Sequence, residues 1–231
     1  MVRLPVDIKF MTIDYTDHDG NPYTPPYGNI HHRNETLVGL GDGAIEIQRF
    51  WHITDDWIAG GGLGTMLPLG RTEADPYQLA SKSVRHQHMQ MGGGTFDPIA
   101  SLSVIKIGER WGFTIMGSGR LPLYDNEKTY RSSASAQIGV GPTYRITSKL
   151  MATSDITGQQ DGQATWAGSP DPMSGRTAIT SGTSVIYRLS PSVAAMAQGR
   201  FTLAQWSKED QIVQRFTGTV GISVTPSGKK E

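Results

Sequence analysis

The chain has 231 residues, no cysteine, 21 basic and 21 acidic side chains and a formal net charge of zero, which leaves no disulfide framework and no basic surplus for nucleic acid. Mean hydropathy is −0.34 with 37% hydrophobic residues, and nowhere do about 18 apolar residues run together, so a spanning helix is excluded and a membrane form has to be a closed sheet. No composition break or linker divides residues 1–231, and a single domain is expected.

In chain order, Val2, Leu4, Val6, Ile8 and Phe10 alternate with Arg3, Pro5, Asp7, Lys9 and Met11, the period of a strand with one greasy face, ending near Tyr15. Residues 16–34 are dense in Pro, Gly, Asn, Asp and His, which is loop chemistry. Strand two is predicted from about Glu35 to Phe50, with Leu37, Ile45 and Ile47 on one face and Asp42, Glu46 and Gln48 on the other. Strand three, about Trp57 to Leu67, is Gly-rich and carries Trp57, Ala59, Leu63 and Leu67 on its apolar face. The alternation then breaks over 70–97, where a strand is expected around Val84 to Met91 and Asp97-Pro98 reads as a turn. Strand four covers about 99–107. Strand five runs from Trp111 to Leu123, with Trp111, Phe113 and Ile115 opposite Thr114, Met116, Ser118 and Arg120. Strand six sets Ala134, Ala136, Ile138, Val140 and Tyr144 against Gln137, Thr143 and Arg145. Strand seven leads into a loop at 158–175, and strand eight ends at Tyr187 and Arg188. Strand nine places Val193, Ala195, Ala197, Phe201 and Leu203 opposite Met196, Gln198, Arg200 and Thr202. Strand ten opposes Ile212, Phe216, Val220, Ile222 and Val224 to Arg215, Thr217, Thr219 and Ser223.

Long polar connections follow the odd strands and short turns follow the even ones, the asymmetry of an outer-membrane barrel. The expected fold is all-β, an antiparallel up-and-down transmembrane β-barrel of about 10–12 strands, an even number that keeps both chain ends in the periplasm. Trp111, Tyr144 and Tyr187 lie beside short turns, where an interfacial aromatic girdle belongs. A soluble β-sandwich binding module also alternates, but long strands with Gly and Ala on the apolar face suit lipid contact better. The start, MVRLPVDIKF, has no charged n-region, apolar core and cleavage site; the barrel reading expects a mature or shortened form.

GLGDGAIEIQ at 39–48, GGGLGTMLPLG at 60–70 and HQHMQMGGGTFDP at 86–98, followed by WGFTIMGSGRLPLY and GPTYRITSKL, resemble the outer-membrane transporter family named for the meta-pathway of phenol degradation. The likeness covers about residues 36–225. It implies a bacterial outer-membrane barrel that moves small molecules, aromatic ones among them, and carries no catalytic residues over. The chain departs from the pattern in lacking a signal peptide and in ending SGKKE instead of on an aromatic.

The residues that carry chemistry follow from the same faces. Arg120, Arg145, Arg188, Arg200 and Arg215 are placed inward, with Asp42, Glu46 and Asp7 facing the same interior. A wall of guanidinium favours anions and orients carboxylate or phenolate solutes; the competing reading has these groups pair with the acids and fill a narrow barrel. All six histidines lie in the first 88 residues. His86 and His88 share one face of the expected strand and Met89 and Met91 the other; with His31, His32 and Asp17-His18-Asp19 they are donor types for copper or zinc, against the plainer reading of solvated loop histidines. No other cofactor is implied. Gly92-Gly93-Gly94 is no phosphate loop, because no Lys-Ser or Lys-Thr follows. No Ser, His and acid constellation stands at a recognisable spacing, and the chain is not expected to be an enzyme. The expected function is passive transport of small, aromatic or anionic solutes, with outer-membrane lipid and the solute as partners. The alternative is an accessory barrel with a plugged lumen whose long loops bind a protein partner or a metal.

Overall fold

The computed structural model describes residues 1–24, 33–207 and 213–224. The chain opens with β1 (Val2–Arg3), β2 (Val6–Met11), β3 (Glu35–Leu40), β4 (Gly43–His52) and β5 (Trp57–Leu67). A one-and-a-half-turn helix, α1 (Pro76–Ser81), precedes β6 (Pro98–Lys106) and β7 (Trp111–Arg120). Next come β8 (Tyr130–Arg131), β9 (Ser135–Arg145), β10 (Leu150–Asp161), β11 (Thr165–Trp166) and β12 (Ser169–Pro170). The last three are β13 (Arg176–Ser190), β14 (Val193–Ser207) and β15 (Phe216–Val224).

Ten strands form one curled antiparallel sheet in the order β1-β4-β5-β6-β7-β9-β10-β13-β14-β15. Each long strand pairs with its predecessor and successor in the chain, as an up-and-down meander requires. β2 and β3 pair with each other and continue the wall begun by β1 and β4. The outer edges of β1 with β2, and of β15, carry no further strand among the described residues. Short turns fix the registers at one end: Thr54 Oγ1 accepts from the Trp57 amide at 3.2 Å, and Thr147 Oγ1 accepts from the Leu150 amide at 3.0 Å, side-chain hydrogen bonds that hold the backbone in a tight reversal.

The two faces of the wall differ in chemistry as a membrane demands. Outward positions hold large apolar side chains left exposed, among them Ile8, Phe10, Ile47, Leu63, Leu102, Ile138, Phe201, Val220 and Ile222. Register and alternation place fourteen charged residues on the wall strands, of which twelve point inward: Arg3, Asp7, Lys9, Glu35, Glu46, Arg120, Arg145, Asp155, Asp161, Arg176, Arg188 and Arg200. A monomer that met water on its outer face would not leave so continuous an apolar surface bare. Strands of about 10 residues at a tilt near 45° cross the hydrocarbon layer, and β4, β5, β7 and β9 have 10, 11, 10 and 11. At the short-turn end Trp51, Trp111 and Tyr187 are exposed and outward, and Trp111 packs on Tyr144 across β7 and β9 with ring centroids 4.5 Å apart. Trp51 thus joins Trp111, Tyr144 and Tyr187 at the end of the wall where the sequence placed these aromatics.

Four local expectations are corrected. Leu37 does not share a face with Ile45 and Ile47: it is 7% exposed and points inward, because the pairing shifts by one residue between Val6↔Leu40 and Arg3↔Ala44, a bulge at Gly41-Asp42 that flips the strand's phase. The first strand stops at Met11 and does not reach Tyr15. No strand forms over Val84 to Met91; α1 stands ahead of it instead, capped by Asp75, whose carboxylate accepts from the Tyr77 amide at 2.9 Å, with Pro76 in the first turn. Asp97-Pro98 is no turn, since Asp97 is fully buried and Pro98 opens β6; a proline needs no ladder donor at a strand's first residue.

Candidate functional site

The inner face of the sheet bounds a cavity of about 380 Å³ lined by Gln48, Phe50, Ser101, Ser103, Met116, Ser118, Gln137, Thr157, Gln198 and Arg200. Its polar lining is hydroxyl and carboxamide with the Arg200 guanidinium, set among glycines and the apolar Phe50, Leu102 and Met116. Glycine makes the room. A Cβ at Gly62 would run into the Glu46 carboxylate and the Ser101 hydroxyl, and one at Gly60 into Ser103 and Phe50. Glu46, 5% exposed, accepts a short hydrogen bond from Ser101 Oγ across that gap.

Three of the inward arginines have carboxylate partners. Arg200 Nη2 lies 2.8 Å from Asp155 Oδ1, Arg200 Nη1 donates to Thr180 Oγ1 at 2.9 Å, and Thr157 Oγ1 donates to Asp155 at 2.6 Å. Arg176 Nε meets Asp161 at 3.0 Å. Arg120 Nη2 donates to the Ser133 carbonyl at 3.1 Å and its Nε is 3.9 Å from Asp97. The five arginines singled out in the sequence therefore occupy three depths. Arg145 and Arg188 sit exposed at the short-turn end, and Arg200 stands in the middle of the wall. Arg120 and Arg215 lie at the long-loop end, where the Arg215 carbonyl accepts from the Thr202 amide at 3.1 Å. Asp7 faces inward from β2.

Asp42 does not line this cavity. From the bulge its carboxylate accepts from the Gly70 amide at 3.0 Å and the Gly93 amide at 2.6 Å, so it grips both ends of the segment between β5 and β6. That segment lies on the inner face at the long-loop end. Lys9 Nζ donates to the Gln90 carbonyl at 2.7 Å and Gln87 Nε2 donates to Glu35 at 2.5 Å. On the far side Asn126 Nδ2 donates to the Gly93 carbonyl at 2.9 Å, and buried Asp97 accepts from Thr95 Oγ1 at 2.6 Å and Ser132 Oγ at 3.3 Å. The segment thus reaches from β2 to the loops beside β8. Those loops make a lid of their own, with β8, β11 and β12 in a small sheet, Trp166 buried and its ring 4.7 Å from that of Tyr130. Tyr77 of α1 donates to Asp171 at 2.5 Å; burial and that carboxylate push its phenol above the ordinary tyrosine range.

His86 and His88 are adjacent, ring centroids 5.1 Å apart, on irregular backbone and not on a strand face, and His86 Nδ1 is 2.9 Å from the Val84 carbonyl. His31 and His32 lie outside the described residues. No three His, Cys, Asp or Glu side chains converge on a metal-sized site among the described residues. The sequence reading missed Asp155, Asp161, Lys9, Glu35 and Asn126. For Asp155 and Asp161 a signal existed: they recur in one phase of an otherwise uncharged strand.

No protein-family model matches the chain, and no curated protein matches it. Among solved structures, an outer membrane channel from Pseudomonas putida F1 is similar in fold, with a TM-score of 0.59 and 11% sequence identity, over 82% of this chain and 68% of its own. No helix among the described residues is long and apolar enough to cross a membrane. Together with the apolar outer wall, the meander and the charged interior, the likeness gives this chain the fold of an outer-membrane β-barrel.

Proposed function

We propose that the protein is a passive outer-membrane channel for small solutes and not an enzyme. The observation that carries this reading is the division of charge: twelve of fourteen charged wall residues point to the inner face, which also bounds a cavity of about 380 Å³, while the opposite face is bare and apolar. Between the two edges of the sheet each wall strand is hydrogen-bonded on both sides, as lipid requires of the backbone, and polar inward residues favour water on the inner face. Arg145 and Arg188, exposed at the short-turn mouth, favour anionic solutes at that entrance. In the middle, Asp155 cancels Arg200, so selection there is by size and hydrogen bonding. The similar Pseudomonas fold supports the reading at the level of architecture.

The segment fastened across the inner face by Asp42, Lys9 and Asn126 favours a second reading, a barrel that rests plugged and whose long loops meet a partner. Planar-bilayer recording of the detergent-folded chain separates the two. A steady open level, with a gel shift between boiled and unboiled samples, supports the channel. A folded, heat-modifiable chain that stays silent, even when 84–91 is deleted, overturns it.

A further inference from the structure

The lipid-side wall carries charge at two positions only among the described residues of the ten strands: Arg49 of β4 and Lys106 of β6. Arg49 is in phase with outward Ile45, Ile47 and Trp51, and Lys106 with outward Leu102 and Val104. Both are exposed, and neither makes an ion pair among the described residues. Each lies over an indole: Arg49 Cζ is 5.7 Å from the Trp51 ring centre and Lys106 Nζ is 5.4 Å from that of Trp57. The ladder joins the two pairs into one patch, since Arg49 faces Gly61, Trp51 faces Ala59 and Trp57 faces Lys106 across β5. Arg49 reaches over a residue two places nearer the short turn, the direction in which a long cation snorkels out of hydrocarbon. Gly61 leaves a shallow recess there, where a Cβ would stand 3.5 Å from the Trp51 ring and 3.7 Å from Leu102.

A cation on a lipid-facing wall is tolerated near the interface and costs more toward the midplane. Two of them, two strands and four residues apart in the ladder, each stacked on a tryptophan and with no outward carboxylate on any wall strand, are complementary to anions supplied by the membrane. We infer that Arg49, Trp51, Trp57 and Lys106 form a lipid-facing patch for anionic phospholipid headgroups, in the leaflet at the short-turn end. The guanidinium and ammonium groups supply the donors for the phosphodiester oxygens, and the indoles fix the depth at which the headgroup sits. This rests on the membrane-barrel reading above.

The test folds the full chain into phosphatidylcholine vesicles with and without one fifth phosphatidylglycerol, and measures the preference for the anionic lipid by quenching of tryptophan fluorescence with brominated phosphatidylglycerol against brominated phosphatidylcholine. The parent is expected to prefer the anionic lipid by about fivefold for each cation, and Arg49→Gln/Lys106→Gln to lose the preference. Arg145→Gln/Arg188→Gln, at the same end but inward, is expected to retain it. Equal preference in the parent and Arg49→Gln/Lys106→Gln overturns the site while leaving the barrel intact. A chain that gains no heat-modifiable form in phosphatidylcholine alone overturns the membrane reading and the site together.

Discussion

Asp42→Ala tests the attachment of the inner segment most directly. Asp42 takes hydrogen bonds from the Gly70 and Gly93 amides at 3.0 and 2.6 Å, and Gly93 is buried. Removing the carboxylate leaves two backbone donors without a partner, at about 1–3 kcal/mol each, and about 3 kcal/mol for the pair is a hundredfold or more in the ratio of docked to released segment. Because the chain has no cysteine, Met91→Cys provides a clean probe: Met91 is 5% exposed in the docked state. Its rate of modification by a charged thiol reagent is expected to rise about a hundredfold when Asp42→Ala is added. Glu46→Gln, which alters an inward acid bonded to Ser101 two strands along the same wall, is expected to leave the rate unchanged. Equal rates with and without Asp42, in protein that still shifts on boiling, refute the claim that this carboxylate holds the segment.

Three further outcomes follow from single contacts. Arg200→Ala removes the partner of Asp155 and leaves an uncompensated carboxylate at mid-depth, so the reversal potential in a salt gradient is expected to move toward cation selectivity; an unmoved potential places that pair off the conduction path. Gly62→Ala drives a methyl into Glu46 and Ser101, and overpacking of this kind costs about 1–3 kcal/mol, read as a lower urea midpoint in vesicles; an unchanged midpoint shows that the wall yields there. Tyr77, raised by burial and by Asp171, binds its proton more tightly in the folded protein than the ordinary phenol with pKa about 10. Its contribution to the tether is full below that value and is lost as pH climbs through the raised one. A difference spectrum between the parent and Tyr77→Phe is expected to show one phenol still protonated near pH 10 to 11; ionisation there at the ordinary value removes the tether.

The wall was legible because a membrane sheet repeats one local rule. Val220, Ile222 and Val224 alternate with Thr219 and Ser223 for the same reason that Trp111, Phe113 and Ile115 alternate with Thr114 and Met116, and β5 begins and ends at the residues expected, Trp57 and Leu67. What broke the rule was illegible for physical reasons. The bulge at Gly41-Asp42 moves no residue in sequence, yet it turns Leu37 inward and aims Asp42 at backbone amides 28 and 51 residues away. The segment from 84 to 94 is held by side chains of Asp42, Lys9, Asn126 and Arg33 and by the Arg71 carbonyl and not by a neighbouring strand, so neither the strand period nor the helix period marks it.

The same contrast bears on where selectivity resides. Inward arginines were legible as charges, but their net effect depends on partners that the alternation does not identify. Arg200, Arg176 and Arg120 each stand within ion-pair distance of an inward or buried carboxylate, and a paired guanidinium in a narrow polar passage contributes a local dipole more than a monopole. Arg145 and Arg188, exposed at the short-turn mouth and with no ion pair among the described residues, retain the long-range field that draws anions. The consequence can be measured as salt dependence. Selectivity set by the exposed mouth is screened as ionic strength rises past the point where the Debye length falls below about 8 Å, while selectivity set by the buried pairs persists. Arg145→Gln/Arg188→Gln is therefore expected to abolish anion preference at low salt and to change little at 1 M, where the Debye length is about 3 Å. An anion preference that survives both the substitutions and high salt would locate selection in the paired interior instead.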